Sequence, residues 1–174
     1  MIKINLSQYS NRFENVYKKE NVAELKNIEE LINKPERESF DCTLAIENFY
    51  FSKPVISLDN RDERLFGEVK KNEYAQIYLS YGVLNNRFNE LPEESFLNLD
   101  KFKKYQFDIE IETTTDLQVL PYIIHYDKIQ KKKLTKIGNS KTIDFTHDDK
   151  CRLTFKLIGH GNFEIRLIRI IPKG

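Results

Sequence analysis

The side chains best suited to chemistry in this chain are crowded into one short stretch, Tyr122, His125, Tyr126 and Asp127. Tyrosine rings offer flat apolar faces that stack on the apolar faces of sugar rings, and neighbouring polar groups can hydrogen-bond hydroxyls. In this reading the two tyrosines stack, while His125, Asp127 and, from another run, Arg152 recognise hydroxyls. Tyr78 joins the candidate set, with Tyr74 expected on the same face of its strand. The chain holds nine tyrosines and twelve phenylalanines but no tryptophan. The missing tryptophan weighs against a sugar platform, and the competing reading makes most of these rings half-buried packing residues.

Other constellations point away from catalysis. His125, His147 and His160 form no close-spaced pair and have no cysteine cluster beside them, so neither a metal site nor any other cofactor is expected. Gly159-His160-Gly161 lies between strands and opens no helix, which excludes a phosphate cradle of the usual kind. There is no G-x-S-x-G elbow, and Cys151 without a defined base is no nucleophile signature. Asp127 with Asp108 or Glu110 would suit glycoside hydrolysis if they faced each other across a sheet. All three fall on the polar phase of an alternation, where solvated outer-face residues are the expectation. Lys128, Lys131, Lys132, Lys133 and Lys136 read as a solvated hairpin turn, with contact to phosphate or an acidic polymer as the alternative. Arg166 and Arg169 fall on opposite faces of a regular strand.

These residues need elements to position them. Val22, Leu25, Ile28, Leu31 and Ile32 recur at helical spacing over 21–33, with Pro35 just beyond. After Pro35 the period drops to two. Tyr105, Phe107, Ile109 and Ile111 alternate with Gln106, Asp108, Glu110 and Glu112, the mark of a strand with one face in a core. Leu153, Phe155 and Leu157, then Phe163, Ile165 and Leu167, alternate in the same way, and Gly159-His160-Gly161-Asn162 between them reads as a hairpin turn. Further strands are expected at 43–51, 74–81, 117–126 and 141–145, giving seven or eight. With no later helix to serve as a crossover, the fold class is mainly β, an antiparallel β-sandwich of jelly-roll type with an N-terminal amphipathic helix. Residues 1–40 form the helical segment and 41–174 the sandwich. The chain ends directly after a strand, as an excised module would.

With 174 residues, 40% hydrophobic and 32% charged, the chain suits one folded domain. A net charge of +1 provides no field for holding a nucleic-acid backbone, and no run approaches the roughly 20 apolar residues of a membrane span. The N-terminus lacks a signal-peptide pattern, so a cytoplasmic location is expected. Cys42 and Cys151 each open a strand-like run and are neighbours if those strands share a sheet, but two buried thiols are favoured over a disulfide.

The succession Leu99 to Phe107, then Ile123-Ile124-His125-Tyr126-Asp127, then Gly159 to Ile165 resembles the carbohydrate-binding-module-like β-sandwiches of bacterial surface-glycan systems. Such modules accompany glycosyltransferases of cell-surface polymers, and a similar sandwich occurs in accessory Sec components that handle glycosylated adhesins. The helical N-terminal region and the lack of tryptophan depart from that pattern. The resemblance implies a non-catalytic accessory module that binds a saccharide or positions a glycan-processing enzyme, with a glycosyltransferase domain or another protein as partner. The alternatives are a structural or protein-interaction sandwich, docking through an edge strand or through Leu25, Ile28 and Ile32, and a carbohydrate-active enzyme with paired carboxylates.

Overall fold

Alternation of apolar and polar side chains resolves into two antiparallel sheets. The computed structural model describes residues 39–92, 104–126, 131–145 and 150–173. The expected helix over 21–33 lies outside the described residues, as do Asp127, Lys128 and His147. The first strands are β1 (Phe40–Asp41), β2 (Phe49–Tyr50), β3 (Ile56–Arg61), β4 (Arg64–Val69), β5 (Ile77–Tyr81) and β6 (Lys104–Thr113). They are followed by β7 (Leu117–Tyr126), β8 (Lys131–Lys136), β9 (Ser140–Asp144), β10 (Lys150–Gly159) and β11 (Gly161–Lys173). One sheet runs β3-β4-β11-β6-β9, with β1 also on β11, and the other runs β2-β5-β10-β7-β8. The mainly-β, antiparallel expectation holds.

The inward phase of each long strand supplies the core. Cys151, Leu153, Phe155 and Leu157 of β10 meet Phe107 and Ile109 of β6 and Ile165, Ile168 and Ile170 of β11 in one buried cluster. Each such side chain contributes about 1.5–3 kcal/mol by leaving water. The outward phase of the same strands is polar or half-buried, as period-two patterning requires.

Four local expectations are corrected. Residues 43–51 are mostly irregular, with a short 3-10 turn at Ile46–Asn48 and strand only at Phe49–Tyr50. The lysine run is not a turn but β8, the outermost strand beside β7. Tyr74 precedes β5 and lies outside it. The β3-β4 hairpin, absent from the sequence reading, turns at Asp62 and Glu63, both at positive φ (49° and 61°). A two-residue turn of that kind normally announces itself as Asn-Gly or Asp-Gly, and Asp-Glu does not.

The most consequential correction concerns Gly159-His160-Gly161. β10 pairs with β5 and β7, whereas β11 pairs with β4, β6 and β1, so the segment is a corner between the sheets and not a hairpin. A second corner, Thr114-Thr115-Asp116, carries β6 into β7 beside it. The two corners are bonded to each other: Thr114 N–H donates to Asn162 O at 3.0 Å, Asn162 N–H to Thr114 Oγ1 at 3.0 Å, and His160 N–H to Asp116 O at 3.2 Å. Gly159 has φ +95° and Gly161 φ +135°. A Cβ at Gly159 would run into Asp116 O, and one at Gly161 into Thr114 Oγ1.

Gly159→Ala should therefore lower stability by roughly 2 kcal/mol or more. Gly138→Ala, where an added Cβ meets nothing within 4 Å, should stay within about 0.5 kcal/mol of the parent. Urea melts of the two variants check this, and equal midpoints would remove the corner's importance.

Candidate functional site

The outer face of the β2-β5-β10-β7-β8 sheet gathers most of the candidate residues, because the register stacks the outward phases of five strands. Tyr78, Lys156 and Leu120 form one row. Tyr50, Ser80, Thr154, Tyr122 and Lys136 form the next. Arg152, Ile124 and Leu134 form the third. Tyr78 and Tyr122 are half-buried and close enough to interact electrically: burial pushes the Tyr78 hydroxyl above the ordinary phenol range, and Tyr122 adds to the rise.

The remaining candidates sit differently. His125 is 4% exposed and belongs to the opposite phase of β7, its ring 5.1 Å from that of Phe145 in the inter-sheet space. Tyr126 is on the outer phase but 0% exposed, and burial raises its pKa. Arg152 is 1% exposed. Asp127 is outside the described residues.

What covers Tyr126 and Arg152 is the segment 82–92, a strap without helix or strand. Five side chains of the sheet and the strap itself pin it down. Tyr126 Oη donates to Phe88 O at 2.7 Å, and Arg152 Nη1 donates to Asn85 O at 3.0 Å. Lys150 Nζ donates to Pro92 O at 3.0 Å, and Ser80 Oγ to Asn86 Oδ1 at 2.6 Å. Asn86 Nδ2 donates back to Tyr78 O at 3.2 Å, and the Phe88 ring meets Tyr78 edge-on at 4.7 Å. The site therefore has a covered end, at Arg152 and Tyr126, and an open end at Tyr78, Lys156, Leu120 and Tyr122. Phe88 and Lys156 were not among the sequence candidates. Lys156 shares the phase of Arg152 and was legible from alternation; Phe88 depends on the strap's tertiary contact and was not.

The opposite outer face, on the β3-β4-β11-β6-β9 sheet, is an ionic carpet. A β-bulge between Ile165 and Leu167 shifts the register of β11. It brings Arg166 and Arg169 onto one face, correcting the expectation of opposite faces. Arg166 reaches Glu112 at 2.6 Å and Glu164 at 3.0 Å, and Arg169 grips both oxygens of Asp41 at 2.6 and 2.9 Å. The Arg169 hydrogen bond holds the Asp41 carboxyl below its ordinary range, and Ser140 and Gln106 do the same for Asp108. Solvent-exposed pairs of this kind contribute little stability each and keep the face wetted. Asp108 and Glu110 lie on β6 of this sheet, whereas β7, which leads to Asp127, belongs to the other. Among the described residues no group of His, Cys, Asp and Glu could hold a metal ion.

Cys42 and Cys151 are not sheet neighbours. Cys42 N–H donates to Ile168 O of β11 at 2.8 Å, while Cys151 pairs across to His125 in the other sheet, and no disulfide joins them.

Known proteins enter through the fold alone. No protein-family model and no curated protein matches the chain. The crystal structure of accessory secretory proteins 1, 2 and 3 from Streptococcus pneumoniae matches over 81% of this chain and 99% of that one, at 10% identity and a TM-score of 0.51. The glycosylation-associated Gap123 complex from Streptococcus agalactiae matches over 78% of this chain, at 10% identity and a TM-score of 0.54. This chain spans 45% of the length of that one. A family 29 carbohydrate-binding module solved with cellulohexaose is similar at 10% identity over 79% of this chain and 93% of its own, with a TM-score of 0.38. The resemblance to accessory Sec components read from the sequence is thus met, at the level of the fold, in the first two of these structures. No helix among the described residues is long and apolar enough to cross a membrane.

Burial pushes the Cys42 thiol up to about 12, and Cys151 is 1% exposed. The thiolate is the reactive form, so neither cysteine of the native protein should react with a disulfide reagent at pH 8 within minutes, and both should react once guanidinium unfolds the chain. One fast equivalent in the native state would contradict this placement.

Proposed function

We propose that this chain is a non-catalytic accessory module of a bacterial surface-glycan system, cytoplasmic in location, that binds saccharide on the outer face of its β2-β5-β10-β7-β8 sheet. The observation that carries the reading is the convergence of Tyr78 and Tyr122, both half-buried, on one outer face, with Lys156 of β10 between their strands and Leu120 beside Tyr122 on β7. Half-burial suits a stacking surface, because the rings are held in place while a face stays in reach of solvent. Arg152 and Tyr126 underlie the strap end of that surface, and Asp127 follows directly in the sequence. The fold-level likeness to accessory secretory and glycosylation-associated proteins supports the same setting.

A glycan array probed with the intact chain, followed by titration of the best oligosaccharide, tests the proposal. Tyr78→Ala and Tyr122→Ala should each weaken binding by about tenfold, the loss of one stacking contact of about 1–1.5 kcal/mol. Their melting temperatures should stay near that of the parent. No binding anywhere on the array, or full binding by both variants, would remove the reading.

A second reading is favoured by exposed leucines on two elements, Leu84 at 85% and Leu134 at 50%, and by the multi-protein character of the two likenesses above. In this reading the module positions a protein partner, such as a glycan-processing enzyme, by burying those leucines. Leu84→Asp together with Leu134→Asp should then abolish coelution with a glycosyltransferase or accessory protein encoded beside this chain. Unchanged coelution would discard that surface.

A further inference from the structure

Arg152 is the one lysine, arginine, aspartate or glutamate among the described residues that is fully buried, at 1% exposure. Among the described residues its side chain has no carboxylate as a hydrogen-bond partner. Nη1 donates to Asn85 O at 3.0 Å and Nη2 only distantly to Glu90 O at 3.4 Å, both neutral carbonyls of the strap. Nε has no acceptor. The guanidinium carbon sits 5.7 Å from the centroid of the Tyr126 ring. Desolvating a guanidinium costs several kcal/mol, which an opposing charge ordinarily offsets, and here none is provided by the described residues. The strap's own carboxylate turns outward: the Glu90 side chain is 60% exposed and pairs with Arg87 at 3.5 Å, while its carbonyl faces Arg152.

The strap is built to be displaced. Its internal backbone bonds are two short turns, Phe88 N–H to Asn86 O at 3.0 Å and Glu90 N–H to Arg87 O at 3.1 Å. Beyond these it is anchored at its start by Gly82 N–H to Asn48 O at 2.7 Å and by the Phe88–Tyr78 ring contact, and over Arg152 and Tyr126 it is held by single side-chain bonds. A planar guanidinium with an empty donor is better matched by two oxygens of one anion than by two separate carbonyls.

We infer that Arg152 is an anion subsite beneath the strap, and that the saccharide taken by this face carries an acidic group, a carboxylate or a phosphate. The acidic group replaces Asn85 O and Glu90 O on Arg152, and the sugar ring extends onto Tyr122 and Tyr78. This inference rests on the saccharide reading and adds the ligand class to it.

Titration calorimetry on the intact chain with tetragalacturonate, uridine-diphosphate N-acetylglucosamine and neutral cellotetraose tests it, with hydrogen exchange of 83–91 followed in parallel. At least one acidic probe should bind about tenfold tighter than cellotetraose and speed exchange in the strap. The carboxylate is the group recognised if tetragalacturonate leads, and the phosphate if the sugar nucleotide leads. Arg152→Met, which keeps the aliphatic packing, should erase the difference. Tyr126→Phe removes the tie to Phe88 O together with the hydroxyl's own interaction with Arg152, freeing both the strap and the guanidinium, and should raise affinity for the acidic probe about threefold, a gain that a purely structural role for Arg152 does not produce. Should Arg152→Met fail to fold, the Tyr126→Phe result decides alone. Equal affinity for acidic and neutral probes, or no gain in Tyr126→Phe, overturns the anion subsite and leaves the saccharide reading standing. Absence of binding by all three probes overturns both.

Discussion

Two corners, bonded to each other, are the constraint on which the sandwich depends. Gly159-His160-Gly161 carries β10 into β11 and Thr114-Thr115-Asp116 carries β6 into β7, and in each case the chain leaves one sheet for the other. Because β10 lies on β7 and β11 lies on β6, the two crossings stand side by side and exchange backbone hydrogen bonds. Close approach of this kind leaves no room for a Cβ, and the positive φ values at Gly159 and Gly161 suit no other residue as well. With the corners set, four long strands are placed in register at once, and their apolar phases are brought together between the sheets.

That registration gives the two outer faces different physics. On the β11 side, a bulge gathers Arg166 and Arg169 against Glu112, Glu164 and Asp41, so charge is met by charge at the surface. On the β10 side, charge is instead buried under a strap, while tyrosines stay half in reach of water. The first arrangement solvates a sheet face and the second keeps one available. A face with an unused donor below, Arg152 Nε, and aromatic rings beside it is where a polar, ring-shaped ligand gains most from leaving water.

Much of the fold was legible. The alternation of Tyr105 to Glu112 and of Leu153 to Leu157 located β6 and β10, and 117–126 matched β7 at both ends. Alternation succeeds because burial on one face is a local property of each strand. It failed where geometry depends on turn chemistry or on partners. Asp62 and Glu63 make a tight hairpin without glycine, the lysines of β8 sit in a strand that local composition disguises, and the glycine-rich corner looks from within like any hairpin turn. The candidate site was half legible for the same reason. Tyr122, Tyr126 and Arg152 share a face by parity, and by parity His125 does not, yet the strap that separates a covered end from an open one spans residues distant in the sequence.

By itself the amino-acid order determined the β character, the antiparallel pairing, which side chains of each strand share a phase and where the rings are concentrated. Those properties follow from backbone sterics and from the hydrophobic effect acting residue by residue. Only the tertiary structure decided which sheet each strand joins, that Arg166 and Arg169 lie together, that His125 turns inward and that Arg152 is buried without a counter-charge among the described residues. Each of these is a relation between segments far apart in the chain, and no local pattern encodes the distance between them.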